Sequence, residues 1–148
     1  MTRDELKEKL KSIYIIKERI KDKQNSIDFH RERIDSITGQ GSEVQTNSSS
    51  NKNENSIAII CDLEEEITKE ISKMKKAEKE LRSLFDLLDI ELYKNILIAR
   101  HIDCMTWSEV AYTIHYSTQH TRKRLYQKAF NALFERCTTH VPPMTLSC

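Results

Sequence analysis

The chain has 148 residues, 38% of them hydrophobic and 32% charged, and its formal net charge is +1. This composition suits one domain or a small domain with an appended helical element, and the longest apolar run, Ile57 to Cys61, is far shorter than the roughly 20 residues of a membrane span. With two glycines, two prolines and four scattered cysteines, we expect an all-α cytoplasmic protein with reduced thiols and no membrane contact.

The first predicted element is an amphipathic helix that ends near Ile37. Its apolar residues recur every seven positions amid charged ones: Leu6, Ile13, Ile20, Ile27 and Ile34. A seven-residue repeat is typical of helices that bury an apolar seam against a partner helix. The following segment, 38–56, holds both glycines and many Ser and Asn residues, which predicts a mobile loop.

A second heptad helix is predicted after this loop. Its repeat positions match those of the first helix in period and number: Ile60, Ile67, Met74, Leu81 and Leu88. We therefore expect residues 1–88 to form an antiparallel helical hairpin. It either closes on itself or pairs with a second subunit as a homodimer, and both arrangements remain open.

Residues 89–136 are predicted to form a separate domain, followed by a flexible tail at 137–148. Asp89 could cap a helix that ends at a break around Cys104. The pair Thr106 and Glu109 has the spacing of a capping box, in which each side chain bonds the backbone amide of the other residue. A new helix should therefore start at Thr106.

The stretch that follows predicts two short helices joined by a tight turn. Apolar residues at three- and four-residue spacing, from Trp107 to Ile114, give the first helix one buried face. His115 and Tyr116 fit the turn, and Ser117 or Thr118 could cap the second helix. The inner face of the second helix comprises Leu125, Ala129, Ala132 and Leu133. This arrangement predicts a helix-turn-helix that meets DNA.

The run from Tyr93 to Ser117 resembles the fourth region of bacterial sigma factors. In particular, it looks like the small sigma-region-4-like proteins of phages, which include the ArpU and RinA type late transcription regulators. The matching residues are Trp107, Glu109, Val110, Ala111, Tyr116, Ser117, Ala129, Phe130 and Leu133. The resemblance implies a phage or prophage protein that binds promoter DNA in a bacterial host cell, with host RNA polymerase as a further partner.

Two features depart from that family pattern. Cys104 stands where the family usually has a glycine after the preceding helix. The stretch from Ser117 to Ala129 is one residue longer than expected, so Thr121 is the buried residue if the second helix is aligned from the turn. Arg122 is the buried residue if the helix is aligned backward from Ala129.

The exposed face of the second helix holds the predicted DNA-binding residues, which are Thr118, Gln119, His120, Arg122, Lys123, Arg124 and Lys128. Glutamine can hold adenine through two hydrogen bonds, and Arg or Lys can reach guanine. We expect Arg124 and Lys128 to contact phosphates instead. The competing interpretation of this face is a set of solvated cations with no ligand.

The leading hypothesis is therefore a sequence-specific transcription regulator of phage type. One alternative is a DNA-packaging recognition protein of the small-terminase kind, and the other is a coiled-coil adaptor whose degenerate helix-turn-helix binds only protein. The spacings His101-x-x-Cys104 and Cys137-x-x-His140 can bind zinc, but the two pairs lie at the ends of different helices, so neither a metal nor a cofactor is expected. No nucleophile with a base partner is visible, and we expect no enzymatic activity.

Overall fold

The computed structural model describes the backbone of residues 1–39 and 47–139, and side chains for 1–36 and 53–139. This described part is mostly helical and contains no β-strand, which confirms the all-α prediction. None of the described helices is long and apolar enough to cross a membrane.

Within residues 1–39 and 47–139, six α-helices and two π-helical turns follow one another. The helices are α1 (Arg3–Gly39), α2 (Asn47–Phe85), α3 (Glu91–Leu97), α4 (Trp107–Ile114), α5 (Thr118–His120) and α6 (Tyr126–Thr139). The first π turn, Ile98–Ile102, continues α3, and the second π turn, Thr121–Leu125, joins α5 to α6. Residues 118–139 thus form one continuous helix, which we call the C-terminal helix.

Helices extend into both ends of the predicted loop 38–56. Helix α1 runs through Gly39 and α2 begins at Asn47, so the prediction was wrong for these flanking residues, while 40–46 lie outside the described residues. Ser and Asn lower helix stability by only a few tenths of a kcal/mol each. Packing offsets this cost from Ser56 onward, because the Ser56 side chain is buried.

The chain divides into two compact units that do not coincide with the predicted boundary at residue 88. The first unit comprises Met1–Tyr14 and the described residues from Lys75 onward, and the second comprises Ile15–Met74. The first turns of α1 and the last turns of α2 therefore belong to the same unit as α3, α4 and the C-terminal helix.

In the second unit, ion pairs connect α1 with α2. The order of the paired residues is reversed between the two segments, so the segments run in opposite directions. Lys23 pairs with Glu66 at 3.4 Å, and Arg19 pairs with Glu70 at 3.0 Å. The Glu70 side chain is only 10% exposed, and burial would raise its pKa. The hydrogen bond and charge of Arg19, together with the charge of Lys73, outweigh burial and hold the pKa of Glu70 below its usual value.

The core of the first unit combines heptad residues of α1 and α2 with residues of α3, α4 and the C-terminal helix. Its fully buried members include Leu6, Leu10, Ile13, Leu81, Phe85, Ile96, Leu97, Val110, Ala129 and Leu133. Arg3 adds contacts between the start of α1 and α6, since its guanidinium lies 4.6 Å from the ring centroid of Phe134 and donates to Asn131 at 2.9 Å. The first turn of α1 thus packs against the middle of α6.

The start of α3 and the end of α6 differ from the sequence prediction. Ile90 precedes α3 with no side-chain cap, and Asp89, the predicted cap, accepts a hydrogen bond from Arg136 instead. Cys137–Thr139 continue α6 rather than beginning a tail. The remaining tail residues, 140–148, lie outside the described part of the chain.

Candidate nucleic-acid interface

Helix α4 begins with the predicted capping box, which is confirmed. The Thr106 hydroxyl accepts from the Glu109 amide at 3.3 Å, and the Glu109 carboxylate accepts from the Thr106 amide at 3.1 Å. Two of the otherwise unpaired amides of the first turn are thereby satisfied. Val110 and Ala111 face the core, so this short helix is fixed both at its start and along its inner side.

The turn before α4 follows the first π turn and contains a left-handed residue. Cys104 has φ of 55°, a region that favours glycine because a Cβ there crowds the backbone. This is the position where the resembled family usually has glycine. Arg100 supports the turn by donating to the Met105 carbonyl at 2.8 Å, and its guanidinium lies 4.3 Å from the ring centroid of Trp107.

The turn between α4 and the C-terminal helix is closed by backbone hydrogen bonds. His115 is left-handed with φ of 64°, and its amide donates to the Tyr112 carbonyl at 3.3 Å. The Tyr116 amide donates to the Ala111 carbonyl at 3.1 Å, which completes a Schellman motif. The Ser117 hydroxyl then accepts from the His120 amide at 3.2 Å, so Ser117 rather than Thr118 caps the next helix.

The extra residue of the C-terminal helix is taken up by the second π turn. The Tyr126 amide donates to the Thr121 carbonyl, five residues back, instead of the usual four. Thr121 is fully buried, and its hydroxyl donates to the Ser117 carbonyl at 2.8 Å. Arg122 is exposed. Thr121 is therefore the buried residue, and Ala129 is buried as well.

Helical geometry shows why one π turn satisfies both alignments. In an uninterrupted α-helix, successive residues are rotated by about 100°, so Phe130 would lie about 180° from Thr121 and Leu133 about 120° from it. If one residue is absorbed by the π turn, these offsets fall to about 80° and 20°. Thr121, Ala129, Phe130 and Leu133 can then all face the core, as observed.

Tyr126, the first residue after the second π turn, connects the C-terminal helix to its neighbours. Its hydroxyl lies 2.8 Å from Nε2 of His101, and its ring lies 4.9 Å, centroid to centroid, from the edge-on ring of Trp107. Burial and the nearby charge of Arg100 lower the pKa of His101 to about 4. Burial raises the pKa of Tyr126. This neutral pair positions the helix against the first π turn and α4.

The predicted DNA-binding residues come together on the outer side of the C-terminal helix. His120 is partly buried, and its ring lies 5.7 Å from that of Tyr116. The remaining six predicted residues are exposed: Thr118, Gln119, Arg122, Lys123, Arg124 and Lys128. The structure thus brings all seven to one helix, at or near its N-terminal half.

Positive charge dominates this face. Between residues 118 and 134 the sequence has four basic residues and no acidic one. None of the four, Arg122, Lys123, Arg124 and Lys128, takes part in an ion pair within the described part of the chain. Their side chains can therefore turn toward an anionic partner without first breaking an internal pair.

Tyr112 and Gln127 are exposed residues of this region that were not in the predicted set. Tyr112 lies on the outer side of α4 and is 84% exposed. Gln127 lies on the exposed face of the C-terminal helix, four residues after Lys123. The signal that could have found Gln127 is the four-residue spacing of Gln119, Lys123 and Gln127, opposite the equally spaced buried residues.

The described residues contain no group of three His, Cys, Asp or Glu side chains that could hold a metal ion. Cys61, Cys104 and Cys137 are free thiols, and burial raises the pKa of Cys137. His140, the second residue of the Cys137-x-x-His140 spacing, lies outside the described residues.

Comparison of the chain with protein-family models, with curated proteins and with solved structures gives no match.

Proposed function

We propose that this protein is a sequence-specific regulator that binds duplex DNA, and that α4 with the C-terminal helix acts as a helix-turn-helix. The observation that carries the proposal is the exposed face of Gln119, Arg122 and Lys123 at the N-terminal half of a helix that is buried on its other side. In this motif the second helix enters the major groove with its N-terminal residues toward the base edges.

The side chains of this face divide into two roles. Gln119 can form two hydrogen bonds with adenine, and Arg122 and Lys123 can donate to guanine. Arg124 and Lys128 lie farther along the chain and neutralise phosphates, which fixes the docking register. If these two cations each neutralise one phosphate, log K should fall with log salt with a slope of about −1.8 for one copy of the chain.

The contacts that hold the two helices together favour sequence reading over nonspecific attraction. The capping box fixes the start of α4, the Schellman motif fixes the turn, and Tyr126 connects the C-terminal helix to His101 and Trp107. A recognition surface that is already ordered loses less conformational entropy when it binds.

The resemblance to sigma-factor region 4 extends the proposal to a regulator of phage type. In this proposal residues 1–88 form a helical hairpin that makes a homodimer or contacts host RNA polymerase. A homodimer would bind two related half-sites about 34 Å apart, one helical turn of DNA. A single copy acting with polymerase would bind one short element.

The test compares Lys123→Ala with Lys69→Ala. Both lysines are exposed and unpaired within the described residues, so both changes remove one charge, but Lys69 lies in the second unit. We expect Lys123→Ala to weaken binding of a selected duplex about tenfold, and Lys69→Ala to leave it unchanged. Equal weakening by both variants would show general attraction to phosphate and contradict the proposal.

A companion variant, Gln119→Ala, tests base reading. It changes no charge, so nonspecific affinity at low salt should stay the same, while preference at one base pair should relax. Unchanged preference at every position would mean that this helix does not read sequence.

A further inference from the structure

Along the C-terminal helix, one row of exposed residues and one row of buried residues each repeat every four positions. Gln119, Lys123 and Gln127 are exposed. Thr121, Leu125, Ala129 and Leu133 are buried on the opposite side. A period of four is longer than the 3.6 residues per turn of an α-helix, so it requires a local change of winding.

The second π turn supplies that change. In an uninterrupted α-helix, Gln127 would be rotated by about 80° from Gln119 and would leave the outward side. With one residue absorbed between Thr121 and Leu125, the rotation between the two glutamines falls to about 20°. Gln119, Lys123 and Gln127 therefore form a straight row, which we call the outer row, along the helix axis.

We propose that Gln127 is a further specificity-determining residue that contacts a base edge beyond those contacted by Gln119 and Lys123. The proposal rests on the DNA-binding function proposed above. The side-chain amide of Gln127 has an N–H that can donate to N7 of adenine and a carbonyl oxygen that can accept from its N6 amino group. The Gln127 amide makes no hydrogen bond within the described residues and is exposed, so it is available to a ligand.

The spacing of the outer row fits the spacing of base pairs. From Gln119 to Gln127 the helix rises about 10 Å, which corresponds to about three base-pair steps of 3.4 Å. Lys128, the next residue, is exposed beside the row and can bind a flanking phosphate. Gln127 therefore contacts a base pair about three steps from the one contacted by Gln119.

The experiment selects bound duplexes from a randomised pool with the full chain and with Gln119→Ala, Gln127→Ala and Gln127→Lys. We expect the wild-type motif to contain an adenine about three base pairs from the position controlled by Gln119. Gln127→Ala should reduce preference there about fivefold to a hundredfold and leave the other positions unchanged. Gln127→Lys should move the preference at that position to guanine.

Lys128→Gln serves as the control, because it should weaken binding across all sequences without changing the motif. Circular dichroism melts of every variant exclude unfolding as the cause of a lost preference. If Gln119→Ala alters the motif but both Gln127 variants leave it intact, the role of Gln127 is overturned while the proposed function stands. If the wild-type protein selects no motif, both fail together.

Discussion

Exchanging the burial of Thr121 and Arg122 tests the winding of the C-terminal helix directly. Thr121 is fully buried and its hydroxyl bonds the Ser117 carbonyl, whereas Arg122 is exposed without an ion pair among the described residues. Thr121→Arg loses a hydrogen bond worth about 1 kcal/mol and overfills a packed site at a cost of about 1–3 kcal/mol. We therefore expect a loss of about 2–4 kcal/mol in the free energy of unfolding. Arg122→Thr should change it by about 0.5 kcal/mol or less.

The assay is urea unfolding followed by the fluorescence of Trp107, the single tryptophan, which lies in α4 and packs against Tyr126 of the C-terminal helix. Thr121→Val is the control for shape, because it keeps the branched side chain and removes only the hydroxyl. It should cost about 1 kcal/mol or less, since the Ser117 carbonyl also accepts from the Thr121 amide at 2.9 Å. If Arg122→Thr costs as much as Thr121→Arg, the assigned winding is wrong.

Three further predictions concern the turn before α4 and the pair that supports the C-terminal helix. Cys104→Gly should raise the free energy of unfolding by about 0.5–1 kcal/mol, because glycine relieves the left-handed backbone, and Cys104→Ala should not; equal effects in urea melts would refute this cause. Because the pKa of His101 is lowered from 6.5 to about 4, the unfolded chain takes up a proton first as the pH falls. The free energy of unfolding should therefore drop by up to about 3 kcal/mol as the pH falls from 6.5 to 4. His101→Gln should flatten this part of the pH profile. If the variant keeps the wild-type pH profile, His101 is not the cause of the drop. Tyr126→Phe leaves the His101 nitrogen without its partner and should cost about 1–3 kcal/mol in the same melts, and a neutral result would show that the contact contributes nothing.

The sequence predicted best those features that depend on neighbouring residues. The capping box needs only Thr106 and Glu109, three positions apart, and no distant contact competes for either side chain. Asp89 illustrates the opposite case. It has the chemistry of a helix cap, but Arg136, 47 residues away, takes its carboxylate. A pattern read along the chain cannot reveal a partner that only the fold brings near.

The second π turn lies between these cases. The conflict between Thr121 and Arg122 was visible in the sequence as one residue too many before Ala129. Its resolution depends on the core, because Thr121 at one end and Ala129 and Leu133 at the other must be buried together. Regular α-helical periodicity assumes a constant winding and therefore offers only a choice between the two alignments. The four-residue spacing of the buried positions was the available signal for a π turn.

The loop prediction failed at its edges for a related reason. Ser and Asn side chains favour turns when they stand alone, and residues 47–56 are rich in both. The helix nevertheless extends to Asn47, and Ser56 is buried. Composition therefore placed the start of the second helix several residues too late.

The most direct measurement is selection of bound duplexes from fragmented genomic DNA at low and at near-physiological salt. The proposed function predicts that a short motif stays enriched at the higher salt, and its symmetry would show whether one or two copies of the chain bind. Recovery of unrelated fragments at low salt, with nothing retained at the higher salt, would contradict sequence-specific reading by the C-terminal helix.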